Sequence, residues 1–249
     1  YINLFCCIIS ITYTIKLSYF CKFWILHKMA RESNDIVLSY YDSLLRKEDI
    51  ELLTGPHWLN DVLLGFYFEY LDHKVNKQGK KKLLFVSPEL TQLLKMTDPL
   101  QYNIFLEPIG MSNASFVFFP LNNCEKKDAV GGSHWSLLIY CQNEETYYHF
   151  DSANGCNSNV AREFAKNLSS QISDKPNRKF IEPKCPQQDN GYDCGIYVLC
   201  LTDVILQCVS KTSKLNSCDY DQVKKLIHTK RAQLLNLIKE LKEASDTYE

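Results

Sequence analysis

The chain has 249 residues, 45% of them hydrophobic and 23% charged, with a formal net charge of −1. That length holds one large domain or two small ones around a buried core, and the near-neutral balance excludes the clustered basic excess of a nucleic-acid-binding surface. The 11 cysteines are odd in number, irregularly spaced and without a C-x-x-C pair, which argues against a disulfide framework and the usual zinc signature; they read as reduced thiols of a cytosolic or nuclear protein, most of them small core hydrophobes.

Residues 1–27 are apolar, but Lys16 and Lys22 interrupt them, so they give no clean span of about 20 apolar residues and no membrane is expected. They also lack the small-residue cleavage site of a secretory signal. Met29 begins a polar and then folded stretch and reads as a natural start. Residues 1–29 are therefore expected to be non-native upstream or accessory sequence, and 30–249 the domain. In GPHWLNDVLLGFYFEYL (55–71) a turn leads into a helix from about Asn60, apolar on nearly every face and so buried all round. The basic run Lys77-Gln78-Gly79-Lys80-Lys81-Lys82 reads as a solvated loop. Ser87 and Pro88 have the chemistry of an N-cap and first helical position. SFVFFPL (115–121), HWSLLIY (134–140) and TYYHF (146–150) are strand candidates, the last two joined by a polar turn over Cys141–Glu145. Three helices follow, over 158–172, 194–209 and 219–244. Strands in the middle and helices toward both ends predict an α+β fold, a small mostly antiparallel sheet packed against helices.

Chemistry gathers at a seam in QQDNGYDCGIYVLC (187–200), where a polar loop becomes an apolar helix at Cys194. The unpaired N–H groups and dipole of a first helical turn favour a thiolate there, as does a nearby imidazolium. His134 follows a Gly-Gly pair at the start of one predicted strand, and Asp151 follows the end of the next. A hairpin centred near 142–143 sets these two side by side, and a shift of a residue or two leaves them neighbours. A carboxylate that orients an imidazole, which in turn holds a thiolate, is a nucleophilic device. Gln188, on the loop approaching Cys194, could donate to an oxyanion together with the Cys194 backbone N–H, and Gly195 is expected to keep the space beside the sulfur clear. Singly, each residue has an ordinary structural reading: a strand-edge His, a turn Asp, a core Cys. Their combination is harder to assign to structure alone.

WLND (58–61), HWSL (134–137), FDS (150–152) and QQDNGYDCG (187–195) stand in an order and spacing that resemble the Ulp/sentrin-specific cysteine protease family, over residues 36–245. VLSYYDSLLR, WLNDVLLGFYFEY, SPELTQLLK, FLEP and GGSHWSLLIY are most similar to its deneddylase branch. The resemblance implies a papain-like α+β fold and cleavage after the C-terminal Gly-Gly of a ubiquitin-like modifier, for precursor processing and deconjugation. It assigns Cys194 as nucleophile, His134 as base, Asp151 as orienting acid and Gln188 as oxyanion donor. It makes Trp58 and Trp135 the roof of the channel for the Gly-Gly tail, and Asp61 a contact to the modifier. It implies no metal or cofactor, and as partners a neddylation-type modifier and conjugates such as cullin-like proteins. A SUMO protease of the same fold, an acyltransferase using the same triad, and a catalytically silent modifier-binding module are the alternatives.

Overall fold

Three strands, β4 (Phe116–Asn122), β5 (Trp135–Cys141) and β6 (Thr146–Phe150), are buried along almost their whole length. Strands covered on both faces read in sequence as continuous apolar runs, which is how these segments look. The structure, a computed structural model, describes residues 35–76, 83–125, 131–172, 178–212 and 214–246. The segment 1–29 and the basic run Lys77–Lys82 lie outside these residues. β1 (Ile36–Tyr40) and β2 (Ser43–Arg46) form a two-stranded sheet, followed by α1 (Lys47–Glu51) and α2 (Asp61–Asn76). β3 (Leu83–Phe85), α3 (Pro88–Met96) and α4 (Tyr102–Leu106) precede β4; α5 (Ser158–Ile172), β7 (Lys179–Ile181), α6 (Cys194–Thr212) and α7 (Val223–Asp246) follow β6.

The main sheet has the order β3-β4-β5-β6-β7. Its centre is antiparallel, as expected; the short edge strands β3 and β7 are parallel to their neighbours and make it mixed. Alternate side chains feed two cores, as the period-2 geometry of a strand requires. Phe116, Phe118, Leu137, Ile139, Tyr148 and Phe150 pack with α2, α6 and α7. Val117, Phe119, Leu121, Leu138, Tyr140 and Tyr147 pack with α3, α4 and α5. Each phenylalanine fully buried this way stabilises the fold by about 1.5–3 kcal/mol.

The caps explain where the helices begin. Ser87 Oγ accepts from Leu90 N at 3.2 Å with Pro88 at the first position, and Asn60 Oδ1 accepts from Leu63 N at 3.0 Å. Two expectations need correction. The β5–β6 register pairs Tyr140 with Tyr147 and Leu137 with Phe150, two residues away from a register that would pair His134 with Asp151, because the turn is centred between Asn143 and Glu144, with Glu145 left-handed at φ 45°. The cysteines are not all reduced: Cys208, at the end of α6, is bonded to Cys218. The chain reverses between them and leaves their Cα atoms 5.5 Å apart, within bridging range, a proximity that the spacing alone does not reveal.

Candidate active site

β5 begins and β6 ends at the same end of the sheet, because the two strands are antiparallel. His134 stands immediately before β5 and Asp151 immediately after β6. Gly132, at φ 97°, brings the backbone against Asn122, where an added Cβ would lie 1.7 Å from Oδ1. Asn123 then accepts through Oδ1 from Ser133 N at 2.7 Å and His134 N at 3.2 Å. α6 packs against β5 and starts with Cys194. Gly195 is the second residue of α6. An added Cβ there would approach Leu59 Cβ to 2.9 Å, so the glycine lets α6 pack closely on the segment that carries Trp58.

His134 Nε2 and Asp151 Oδ1 are 2.6 Å apart, both residues buried. The buried Cys194 stands within electrostatic reach of the same ring and favours its charged form. Burial works against a charge on His134, but Asp151 and Cys194 outweigh it and push the imidazole up to about 9. Burial likewise pushes Asp151 up, and is outweighed by His134 and by the N–H groups of Asn157 and Ala153, which hold it below the ordinary carboxylate value. Those amides donate at 2.8 Å to Oδ2 and 2.8 Å to Oδ1 respectively. The ionised dyad is therefore the stable form around neutral pH.

A layer behind the dyad was not anticipated from the sequence. Fully buried Asn157 donates through Nδ2 to Ser136 Oγ at 2.9 Å and to the His134 carbonyl at 3.4 Å. Ser136 Oγ also meets Nε2 of buried His149 at 3.0 Å, and His149 Nδ1 meets Glu182 Oε1 at 3.0 Å. Asn157 thus grips both the base's backbone and the acid's carboxylate. A single asparagine after a Gly-containing turn carries no motif; only its place six residues beyond Asp151 could have drawn attention.

The other sequence-predicted residues differ in how they are held. Gln188 is fixed at both ends of its amide: Oε1 accepts from Ser152 Oγ at 2.8 Å and Nε2 donates to the Asn190 carbonyl at 2.7 Å. That leaves the second N–H of Nε2 for another acceptor. Trp58 is half exposed and its Nε1 donates to the Gly191 carbonyl, joining its segment to the loop before Cys194. Trp135 Nε1 donates to the Leu59 carbonyl at 3.0 Å. The two indoles therefore pin the 58–59 segment between the histidine strand and the cysteine loop. Asp61 is exposed at the first turn of α2, its Oδ1 bonded to Val62 N at 3.1 Å; that is its one hydrogen-bond partner among the described residues.

A thiol at the start of a buried central helix, facing an imidazole and a carboxylate delivered by one end of a hairpin, is the machinery of a papain-like cysteine peptidase. The sequence profile of the Ulp1 protease family, C-terminal catalytic domain, matches residues 57–235. The chain belongs to that family. It is 42% identical over 174 residues to sentrin-specific protease 8 of Homo sapiens, an alignment covering 69% of this chain and 82% of the relative. It is 30% identical over 220 residues to NEDD8-specific protease 1 of Arabidopsis thaliana, covering 85% of this chain and 96% of the relative. A solved SUMO protease Ulp1 has the same fold, with TM-score 0.62 at 21% identity over 85% of this chain and 90% of that one.

Proposed function

We propose that this peptidase cleaves after the C-terminal Gly-Gly of a ubiquitin-like modifier of the neddylation type, both maturing the precursor and releasing the modifier from lysine conjugates. Cullin-type proteins are the conjugates this reading favours, and the cytoplasm or nucleus the compartment. The observation that carries it is the Cys194–His134–Asp151 constellation, in a chain whose relatives include proteins named NEDD8-specific protease.

In the reaction, Sγ of Cys194, its proton already carried by the His134 imidazolium, attacks the scissile carbonyl carbon. The displaced electron pair moves to the carbonyl oxygen, which the Cys194 N–H and the second N–H of Gln188 receive. His134 then gives its proton to the leaving amine nitrogen, the C–N bond breaks, and a thioester remains. Water, deprotonated by the same ring, hydrolyses it. Asp151 keeps its charge throughout and orients the ring.

The test uses neddylation-modifier, SUMO and ubiquitin probes bearing C-terminal electrophiles. The expected result is rapid covalent capture of the first, at least tenfold faster than the others, and no capture by Cys194→Ser. Faster capture of SUMO would move the chain to the sister branch; capture surviving Cys194→Ser would end the proposal.

A further inference from the structure

Arg231 lies on α7, which carries no member of the triad. Its guanidinium nevertheless reaches both sides of the thiol's surroundings. Nη1 donates to the Leu52 carbonyl at 2.6 Å, and Nη2 to the His57 carbonyl at 2.7 Å and to Asp193 Oδ1 at 2.8 Å. Leu52 and His57 bracket the turn that delivers Trp58. Asp193 is the residue before Cys194, and its carbonyl accepts the Tyr197 N–H that begins α6. One planar group therefore fastens the tryptophan arm to the nucleophile arm, with little solvent around the ion pair.

The connection continues past Asp193. Asp193 Oδ2 accepts from Asn190 Nδ2 at 2.9 Å, and Asn190 Oδ1 accepts from the N–H groups of Tyr192 and Asp193 at 3.1 and 3.0 Å. The Asn190 carbonyl accepts from Gln188 Nε2. A continuous chain of bonds thus runs from Arg231 through Asp193 and Asn190 to the amide that would receive the oxyanion. Resting on the modifier-peptidase reading, we propose that Arg231 is a positioning residue for the tail slit: it sets the separation of the Trp58 and Cys194 walls and, through Asp193 and Asn190, the aim of Gln188. The role needs a guanidinium, whose fork of fixed donors can serve two carbonyls and a carboxylate at once; a lysine supplies the charge without the fork. A displacement of about 1 Å at a reacting carbon can cost on the order of a hundredfold in rate.

The experiment compares wild type, Arg231→Gln, Arg231→Lys, Asp193→Asn and the Arg231→Gln/Asp193→Asn double variant, each below its melting temperature. Two readouts are taken: kcat and KM on the modifier's C-terminal fluorogenic amide, and the pH profile of Cys194 alkylation by iodoacetamide, which needs the thiol and imidazole but not the slit. The expected result is a fall in kcat of at least tenfold in Arg231→Gln, incomplete rescue by Arg231→Lys, a loss of the same sign in Asp193→Asn, and a double variant no worse than the poorer single one. The alkylation profile should not move. Unchanged kcat in the folded Arg231→Gln and Asp193→Asn variants would overturn the proposal, leaving Arg231 a stabilising contact only. Turnover and alkylation falling together would also overturn it, since Arg231 would then act on the triad's ionisation. Failure of wild type to cleave any of the three modifiers would instead defeat the modifier reading, and the slit with it.

Discussion

At the residue scale the charge on His134 is set by two neighbours that can be removed separately. The ring is pushed up to about 9 against its own burial, so imidazolium persists through neutral pH and is lost as pH rises through that value. The imidazolium must protonate the leaving amine, so kcat/KM should fall on an alkaline limb near pH 9. Asp151 is held below the ordinary carboxylate range, so loss of its charge does not set in until the pH drops beneath that range. Asp151→Asn keeps the shape but removes the negative charge. The expected outcome is a large fall in kcat and an alkaline limb moved to lower pH, read from a pH–rate profile. A limb that stayed near pH 9 would mean that Cys194 alone holds the ring's proton. The juxtaposition of these three residues was legible because each stands where one pattern gives way to another: loop to helix at Cys194, loop to strand at His134, strand to loop at Asp151. Asn157 and Arg231 were not legible, because their partners are backbone carbonyls and a carboxylate brought near only by the fold.

At the scale of elements, the long helices and central strands could be read from periodicity and caps, and TYYHF matches β6 residue for residue. β3 and β7 have three residues each, too few for any alternation to register. The β1–β2 hairpin was missed because its turn places Tyr41 at φ 45°, a residue that does not advertise a left-handed conformation. Glu69 of α2 holds that turn from outside, accepting from Asp42 N at 2.9 Å and Ser43 N at 3.0 Å. The packing of α2, α6 and α7 is likewise fixed by a polar contact within an apolar surface. Lys230 Nζ, almost fully buried, donates to Asp203 Oδ2 at 2.6 Å and Tyr67 OH at 2.7 Å, while Tyr67 OH donates to Asp203 Oδ1 at 2.7 Å. Asp203→Ala strands that ammonium and should destabilise the protein by about 3–5 kcal/mol. Lys230→Met should cost less, since the partly exposed Asp203 keeps water and the tyrosine. Urea unfolding midpoints give the comparison, and equal losses would show that the buried cation carries no special penalty.

For the whole molecule, two kinds of surface occur on the side of the sheet that α2 and α6 cover. The triad and its clamps lie in a dry, heavily hydrogen-bonded seam between the sheet and α6, while Asp61 stands in solvent at the start of α2. In the seam, side chains are held by the protein itself, so their replacement changes positioning of the reacting atoms and should appear in kcat. An exposed carboxylate has nothing of that kind to position. Among the described residues its one hydrogen-bond partner is the neighbouring Val62 N–H, and the helix dipole already favours its charge there. If Asp61 meets a basic residue on the modifier's body, the ion pair forms on binding and persists through the chemistry. Interactions equal in ground and transition states govern KM and leave kcat alone. Asp61→Ala should therefore raise KM for the neddylation-type modifier about tenfold, about 1.4 kcal/mol, with kcat within about twofold and the melting temperature nearly unchanged. The effect should shrink as salt is raised, because a rim ion pair is screened within about 10 Å at 0.1 M. Steady-state kinetics at two ionic strengths decide it. A fall confined to kcat would place Asp61 in the positioning machinery after all, and no change in either constant would leave recognition to the tail slit.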